Sequence, residues 1–271
     1  MTKGRVIYED EAEPHFRLAY PRPALAAFVE YYFEVNQPAT LANPLYLNGL
    51  PNLSNLICIS LTAQPWLTIN QQSGAVKAVK GSRFFGNLTN LHTSIYPAGV
   101  HEFYVKFKPG TLGKLLRFRN VELENANADL AAFIRSDNWE DRLQTAPSFD
   151  ARVKLVEMML LRRTQAVELD YRFQIVQKTF DYFGKQHINR PPNLAWICRE
   201  LGVSYPSLHR YFTEALGYSP KYCQKLIRFK NALQLYRRHG SRYPFEDAGY
   251  TDFSHFLKDT RQLTQRLPSE L

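Results

Sequence analysis

Two short helical stripes separated by a glycine constrain this 271-residue chain more than any other feature of it. From Asn193 the sequence runs Leu194-Ala-Trp-Ile-Cys-Arg-Glu-Leu201 and breaks at Gly202. It restarts at Ser204 with Tyr205-Pro-Ser-Leu-His-Arg-Tyr-Phe-Thr-Glu-Ala-Leu216, before Gly217. Leu194, Ile197 and Leu201 form the inner stripe of the first segment, and Asn193 is placed to cap it. Cys198 falls where two helices cross closely and a small side chain is required, which makes it a packing residue. Gly202 supplies the turn and Ser204 caps the next helix. Pro206 lies in that helix's first turn, where a missing N–H costs little. At about 100° per residue, Leu208, Tyr211, Phe212 and Ala215 gather on one side. Pro206, His209, Arg210 and Thr213 gather almost opposite. The pattern predicts a helix-turn-helix whose second helix offers its polar face to base edges in the DNA major groove. Arg210 has the fork that fits guanine O6 and N7, and His209 can donate to a base acceptor or a phosphate.

The segment that follows extends the same reading. Ser219-Pro220 pairs a cap with proline at the first helical position. Tyr222, Leu226, Phe229, Leu233 and Tyr236 then run down one face toward Arg238. Lys221, Lys225 and Arg228 form a basic stripe beside them. With Ser204 and Ser219 at the helix starts, these are the candidate phosphate contacts, which position a protein without reading sequence. Charge is distributed accordingly. Residues 171–271 hold 16 Lys and Arg against 8 Asp and Glu, whereas residues 1–170 hold 18 against 17. Almost all of the net charge of +9 therefore lies in the last hundred residues, and a polyanion partner follows for that segment.

At this point the chain resembles the C-terminal domain of AraC/XylS-type transcription regulators. The matching pieces are Leu201-Gly-Val-Ser204, Leu208-His-Arg-Tyr-Phe212, Gly217-Tyr-Ser-Pro220 and Arg228-Phe-Lys-Asn-Ala232. They continue as Gly249-Tyr-Thr-Asp-Phe-Ser-His-Phe256 and Leu267-Pro-Ser-Glu270. The resemblance implies two helix-turn-helix units joined by a long helix and reading adjacent major-groove segments. It makes Pro206, His209 and Arg210 base-facing in the first unit, and Phe253, Ser254, His255 and Lys258 base-facing in the second. The second unit departs from the family pattern. Only Phe245, Glu246, Asp247 and Ala248 stand between Pro244 and Gly249, where a supporting helix needs about seven residues. Thr260 replaces a large core aromatic, and Gln265 replaces the glycine that ends the last helix. The expectation is that helix 204–216 dominates base reading and that the unit at 252–262 is weakened.

Ahead of this segment the chain reads as β-rich. Leu56-Ile-Cys-Ile-Ser-Leu61 is a buried-strand run, and Trp66-Leu-Thr-Ile-Asn70 alternates. His101-Glu-Phe-Tyr-Val-Lys-Phe-Lys108 puts Phe103, Val105 and Phe107 on one face and Tyr104, Lys106 and Lys108 on the other. Glycine and proline turns punctuate the stretch. After Gly110 the pattern becomes helical, with Val153, Val156, Leu160 and Leu161 at helical spacing. The fold class expected is α+β: a small barrel- or sandwich-like front domain with helices over 1–166, then an all-α double helix-turn-helix domain over 167–271. The front part loosely resembles a poorly characterised domain often found ahead of such DNA-binding units. That resemblance implies small-molecule sensing or dimerisation, by fold analogy alone. Trp66, Phe84, Phe85 and Tyr104 are the candidate effector-pocket lining, and the helix from Ala151 to Arg163 is the candidate dimer face.

Other functions are weaker fits. No apolar run reaches the ~20 residues of a membrane span, and the N-terminus lacks an apolar signal core, so a cytoplasmic protein is expected. Cys58, Cys198 and Cys223 are widely spaced, which fits neither a disulfide framework nor a zinc site. Cys58, in an apolar strand run without a cationic neighbour, reads as buried rather than as a thiol sensor. A cupin-like metal enzyme would draw on His92, His101 and Glu102, yet His101 and Glu102 are sequence neighbours and point to opposite faces of a strand. No nucleophile elbow, phosphate loop or dinucleotide fingerprint occurs. The reading is a DNA-binding transcription regulator, not an enzyme, with no cofactor and no metal. Its partners are double-stranded DNA and, as candidates, a small-molecule effector, RNA polymerase and a second copy. The alternative is a protein-interaction or small-molecule-sensing module with little DNA binding.

Overall fold

Alternation along residues 101–107 sets the architecture of the front unit. A computed structural model of the chain describes residues 15–116, 123–132, 138–165, 167, 169–184 and 193–271. The chain divides into two compact units, 1–167 and 168–271. The first holds the strands β1 (Phe16–Ala19), β2 (Val29–Asn36), β3 (Leu45–Gly49), β4 (Leu56–Ser60) and β5 (Trp66–Asn70). These are followed by β6 (Val76–Val79), β7 (Arg83–Phe85), β8 (His92–Tyr96), β9 (His101–Phe107) and β10 (Asn127–Asp129). They form a six-stranded sheet in the order β1-β2-β9-β4-β7-β10 and a four-stranded sheet in the order β3-β8-β5-β6, antiparallel throughout. Two separate sheets replace the closed barrel that the turn-rich sequence left open.

Both faces of β9 are covered, and this differs from the alternation expected. Phe103, Val105 and Phe107 are fully buried on the face where Phe103 meets Phe149 at 5.9 Å. That face is roofed by α2 (Trp139–Gln144), which packs on β4, and by α3 (Phe149–Thr164). Tyr104, expected to point outward, is only 2% exposed. It lies in the cluster between the sheets with Val35, Cys58, Trp66, Val79, Tyr96 and Val100, and its ring stacks on Phe33 at 4.4 Å. Lys106 is also drawn in. Its ammonium reaches Glu30 at 3.0 Å and the Tyr31 hydroxyl at 2.9 Å.

Helix α3 spends its apolar stripe inside this unit: Phe149, Val156, Met159 and Leu160 are buried. Its Glu157 accepts from the Arg22 side chain at 2.7 Å and from the Arg22 backbone at 2.9 Å. The candidate dimer face is thus occupied intramolecularly, leaving Met158 as its exposed apolar residue.

The second unit is helical: α4 (Tyr171–Gly184), α5 (Leu194–Glu200), α6 (Tyr205–Leu216), α7 (Pro220–His239) and α8 (Phe253–Thr264). The remaining short helix, α1 (Thr111–Leu116), belongs to the first unit. Aromatic rings bind α4 to α6, with Phe180 and Phe183 at 5.5 and 6.3 Å from the buried Phe212. Burying a side chain of that size contributes roughly 1.5–3 kcal/mol. Among the described residues, no helix is long and apolar enough to cross a membrane.

Candidate nucleic-acid interface

Each helix of the motif begins on a side-chain cap read correctly from the sequence. Asn193 accepts from Trp196 N–H at 2.8 Å, Ser204 from Ser207 N–H at 3.3 Å, and Ser219 from Tyr222 N–H at 3.2 Å. The turns end as expected. Gly202 has φ +63° and Gly217 has φ +82°, a left-handed conformation that disfavours a side chain. Between these stops α6 buries Leu208, Phe212 and Leu216. Pro206, His209, Arg210 and Thr213 are exposed together, at positions i, i+3, i+4 and i+7 of the opposite face. The Arg210 guanidinium lies 5.6 Å from the Tyr211 ring centroid, and the Thr213 hydroxyl donates to the His209 carbonyl at 3.0 Å.

The basic stripe of α7 is not free. Lys221 is exposed, but the other two cations converge on Asp259 of α8. Arg228 Nη2 donates to Asp259 Oδ2 at 2.8 Å, and Lys225 Nζ lies 3.2 Å from Oδ1. Lys225 also donates to Gln262 Oε1 at 2.5 Å. Arg228 further reaches the Gly249 carbonyl at 3.3 Å and stands 4.4 Å over the Tyr250 ring. Sequence spacing put Lys225 and Arg228 beside the phosphates; the structure makes them the clamp that holds α8. Asp259 itself was missed. Its signal was legible, because it sits on the buried stripe Phe256-Asp259-Thr260-Leu263, and a buried carboxylate demands cationic partners.

The second unit is built differently from the first. A single 3-10 turn, Phe245–Ala248, stands where α5 stands in the first unit, as the short spacing before Gly249 suggested. Aromatic packing supports α8 in its place. Phe245 stacks on Phe256 at 4.9 Å and meets Phe253 at 5.1 Å, while Tyr236 lies 5.9 Å from Phe253. Phe253 therefore sits in the aromatic cluster and does not join the exposed row. Ser254 and Lys258 are exposed, and so is Arg261 at the next helical step, which the sequence reading overlooked. His255 is half-buried, its ring edge-on to Tyr250 at 5.0 Å. Thr260 is fully buried and satisfies its hydroxyl on the Phe256 carbonyl at 2.8 Å. Gln265 closes α8 at φ +58°, a left-handed residue where glycine costs least.

The candidate effector lining does not enclose one space. Trp66, Phe85 and Tyr104 face the interior between the sheets, with Trp66 and Phe85 stacked at 5.7 Å. Phe84 pairs with Ile57 on the opposite face and is fully buried there. The interior also holds a polar group. Glu102 accepts from Ser60 Oγ at 2.9 Å and Cys58 Sγ at 3.0 Å, and burial pushes its carboxyl up to about 7 against those hydrogen bonds. Burial likewise raises the Cys58 thiol well above its ordinary range. His101 lies on the other face, as its neighbouring position to Glu102 requires. Among the described residues, no group of three or more His, Cys, Asp or Glu side chains is placed to hold a metal.

Similarity to known proteins adds to this geometry. Among solved structures the chain is similar to ToxT from Vibrio cholerae O395, at 11% identity over 95% of this chain and 97% of that one, with a TM-score of 0.45. It is similar to unsaturated fatty acid bound ToxT from Vibrio cholerae strain SCE256, at 12% identity over 96% and 95%, with a TM-score of 0.43. It is also similar to the AraC-like transcriptional activator CuxR, at 15% identity over 87% and 92%, with a TM-score of 0.27. No curated protein matches the chain in sequence. Residues 197–271, from the middle of α5 to the C-terminus, match the family described as "Helix-turn-helix domain". That segment of the chain is similar to a helix-turn-helix domain, which agrees with the α5–turn–α6 geometry.

Proposed function

We propose that this chain is a transcription regulator that reads duplex DNA with α6 in the major groove, while the front unit binds an effector or a second copy. The reading is regulatory, not catalytic. The observation that carries it is the exposed row Pro206, His209, Arg210 and Thr213 on a helix capped at both ends and anchored by Phe212. Arg210 supplies bidentate recognition of guanine and Lys221 a phosphate contact. The second unit contributes less base reading, because its support is one turn plus the Asp259 clamp. Its contacts come from Ser254, Lys258 and Arg261.

The test is fluorescence anisotropy on a duplex selected from a random library, with a scrambled duplex as control. Arg210→Ala is expected to weaken specific binding by about 1–3 kcal/mol, roughly 5- to 150-fold, and to leave scrambled DNA within a few-fold. Equal losses on both duplexes would remove Arg210 from base reading. Absence of any salt-dependent duplex binding would remove DNA as the partner.

A further inference from the structure

Beneath the start of α3, the helix-covered face of the six-stranded sheet opens into a cavity of about 260 Å3 that the sequence did not single out. Strand register puts its floor on one face. Arg17 of β1 lies opposite Glu34 of β2, Asn36 of β2 lies opposite His101 of β9, and His15 precedes β1. Pro147, Ser148, Phe149 and Arg152 close it from above.

The floor has one carboxylate, and it is already engaged. Glu34 accepts from Arg152 Nη1 at 3.0 Å, and His101 Nε2 lies 2.9 Å from its other oxygen. Arg152 is fixed at its remaining nitrogens by the carbonyls of Leu143 and Ala146. Arg17 is exposed at the rim, and among the described residues no acceptor engages its guanidinium. The lining thus sets Arg17 and Arg152 against Glu34 alone, before either imidazole is protonated. The N-terminus of the 16-residue α3 adds positive potential, partly offset by Asp150 in its first turn. Pro147 and Phe149 give the space an apolar wall. Its volume corresponds to about eight or nine waters, room for a short carbon skeleton rather than a bare ion.

We propose that this cavity binds a small organic oxyanion, a carboxylate or phosphate ester, with Arg17 closing bidentately on the charged group and His15 and His101 beside it. As an effector site this rests on the reading of the front unit given above. It moves the ligand from the filled space between the sheets to the opposite face of the larger sheet.

The test follows the histidine side chains of the full chain by NMR at constant ionic strength, with His15 and His101 assigned from His15→Gln and His101→Gln. The probes are succinate, glycerol 3-phosphate and, as a neutral control, glycerol. Saturable shifts at both histidines with either anion, weakened at least tenfold by Arg17→Gln, are expected. Succinate alone would name a carboxylate, and glycerol 3-phosphate alone a phosphate. Linear unsaturated shifts, equal response to glycerol, or an unchanged titration in Arg17→Gln would overturn the proposal. Duplex binding by the chain without any probe is measured in parallel and does not depend on the cavity, so failure here is distinguishable from failure of the DNA-binding reading.

Discussion

Asp259→Asn isolates the clamp that holds α8. The substitution keeps the side chain's volume and removes the charge that Arg228 and Lys225 share. Breaking a buried ion pair by removing one partner costs about 3–5 kcal/mol when the stranded charge has no access to water. Here the Lys225 and Arg228 side chains are 23% and 25% exposed, against 8% for Asp259, so the orphaned cations rehydrate in part. A loss of about 1–3 kcal/mol in the local stability of α8 is the consequence. Amide hydrogen exchange read by mass spectrometry resolves it, because local opening accelerates exchange about tenfold for each 1.4 kcal/mol. Peptides covering 253–264 should exchange roughly 5- to 150-fold faster in the variant. Peptides covering α6 should stay within two-fold, since the ion pairs of Asp259 run to α7. Unchanged exchange in α8 would show that the aromatic cluster alone holds the helix and that the clamp is ornamental. Equal acceleration in α6 would show that the two units open together.

Two further outcomes follow from particular residues. Because the folded Glu102 carboxyl titrates near 7 and an unfolded one near 4.5, the native front unit retains a proton that the unfolded chain has lost. Its stability should fall as pH rises from about 4.5 to 7, by up to about 3 kcal/mol, and level off above that. Urea unfolding of Glu102→Gln should lack this slope, and an identical slope in both proteins would assign it elsewhere. Gln265→Gly relieves the left-handed residue that closes α8. It should raise the stability of the second unit by about 0.5–1 kcal/mol in thermal unfolding, and a destabilised variant would mean that the Gln265 side chain contributes more than its backbone costs.

What the sequence made legible divides along the range of the interactions involved. Caps, stops and the exposed face of α6 are fixed within one short stretch, Asn193 to Gly217, by local rules at Asn193, Gly202, Ser204 and Gly217, and all four stand where those rules put them. The short turn before Gly249 was legible for the same reason. The fate of Lys225 and Arg228 was not. A helical stripe of cations reads as solvated until the element across from it supplies a carboxylate, and Asp259 lies 31 residues beyond Arg228.

The front unit shows the same limit in a sharper form. Period-two alternation along β9 correctly separates Phe103, Val105 and Phe107 from Tyr104 and Lys106, yet says nothing about how many layers cover the strand. Tyr104 is buried because a second sheet faces it, and Trp66 and Phe85 fill the space that a ligand would need. Aromatic residues in a β-rich segment therefore mark packing here, and the buried Tyr96 and Tyr104 hydroxyls satisfy one another at 2.9 Å. The polar lining of the cavity under α3 comes from four stretches spread along the chain between His15 and Arg152: His15–Arg17, Glu34–Asn36, His101 and Pro147–Arg152. None of them carries a local signature, since an Arg on an edge strand or a His at a strand start is ordinarily solvated. Only the register of β1 on β2 and β2 on β9, set by the alternating core residues between them, brings those charges to one face. The residues chosen for their hydrophobicity thus build the wall, and those the pattern set aside as surface line the opening.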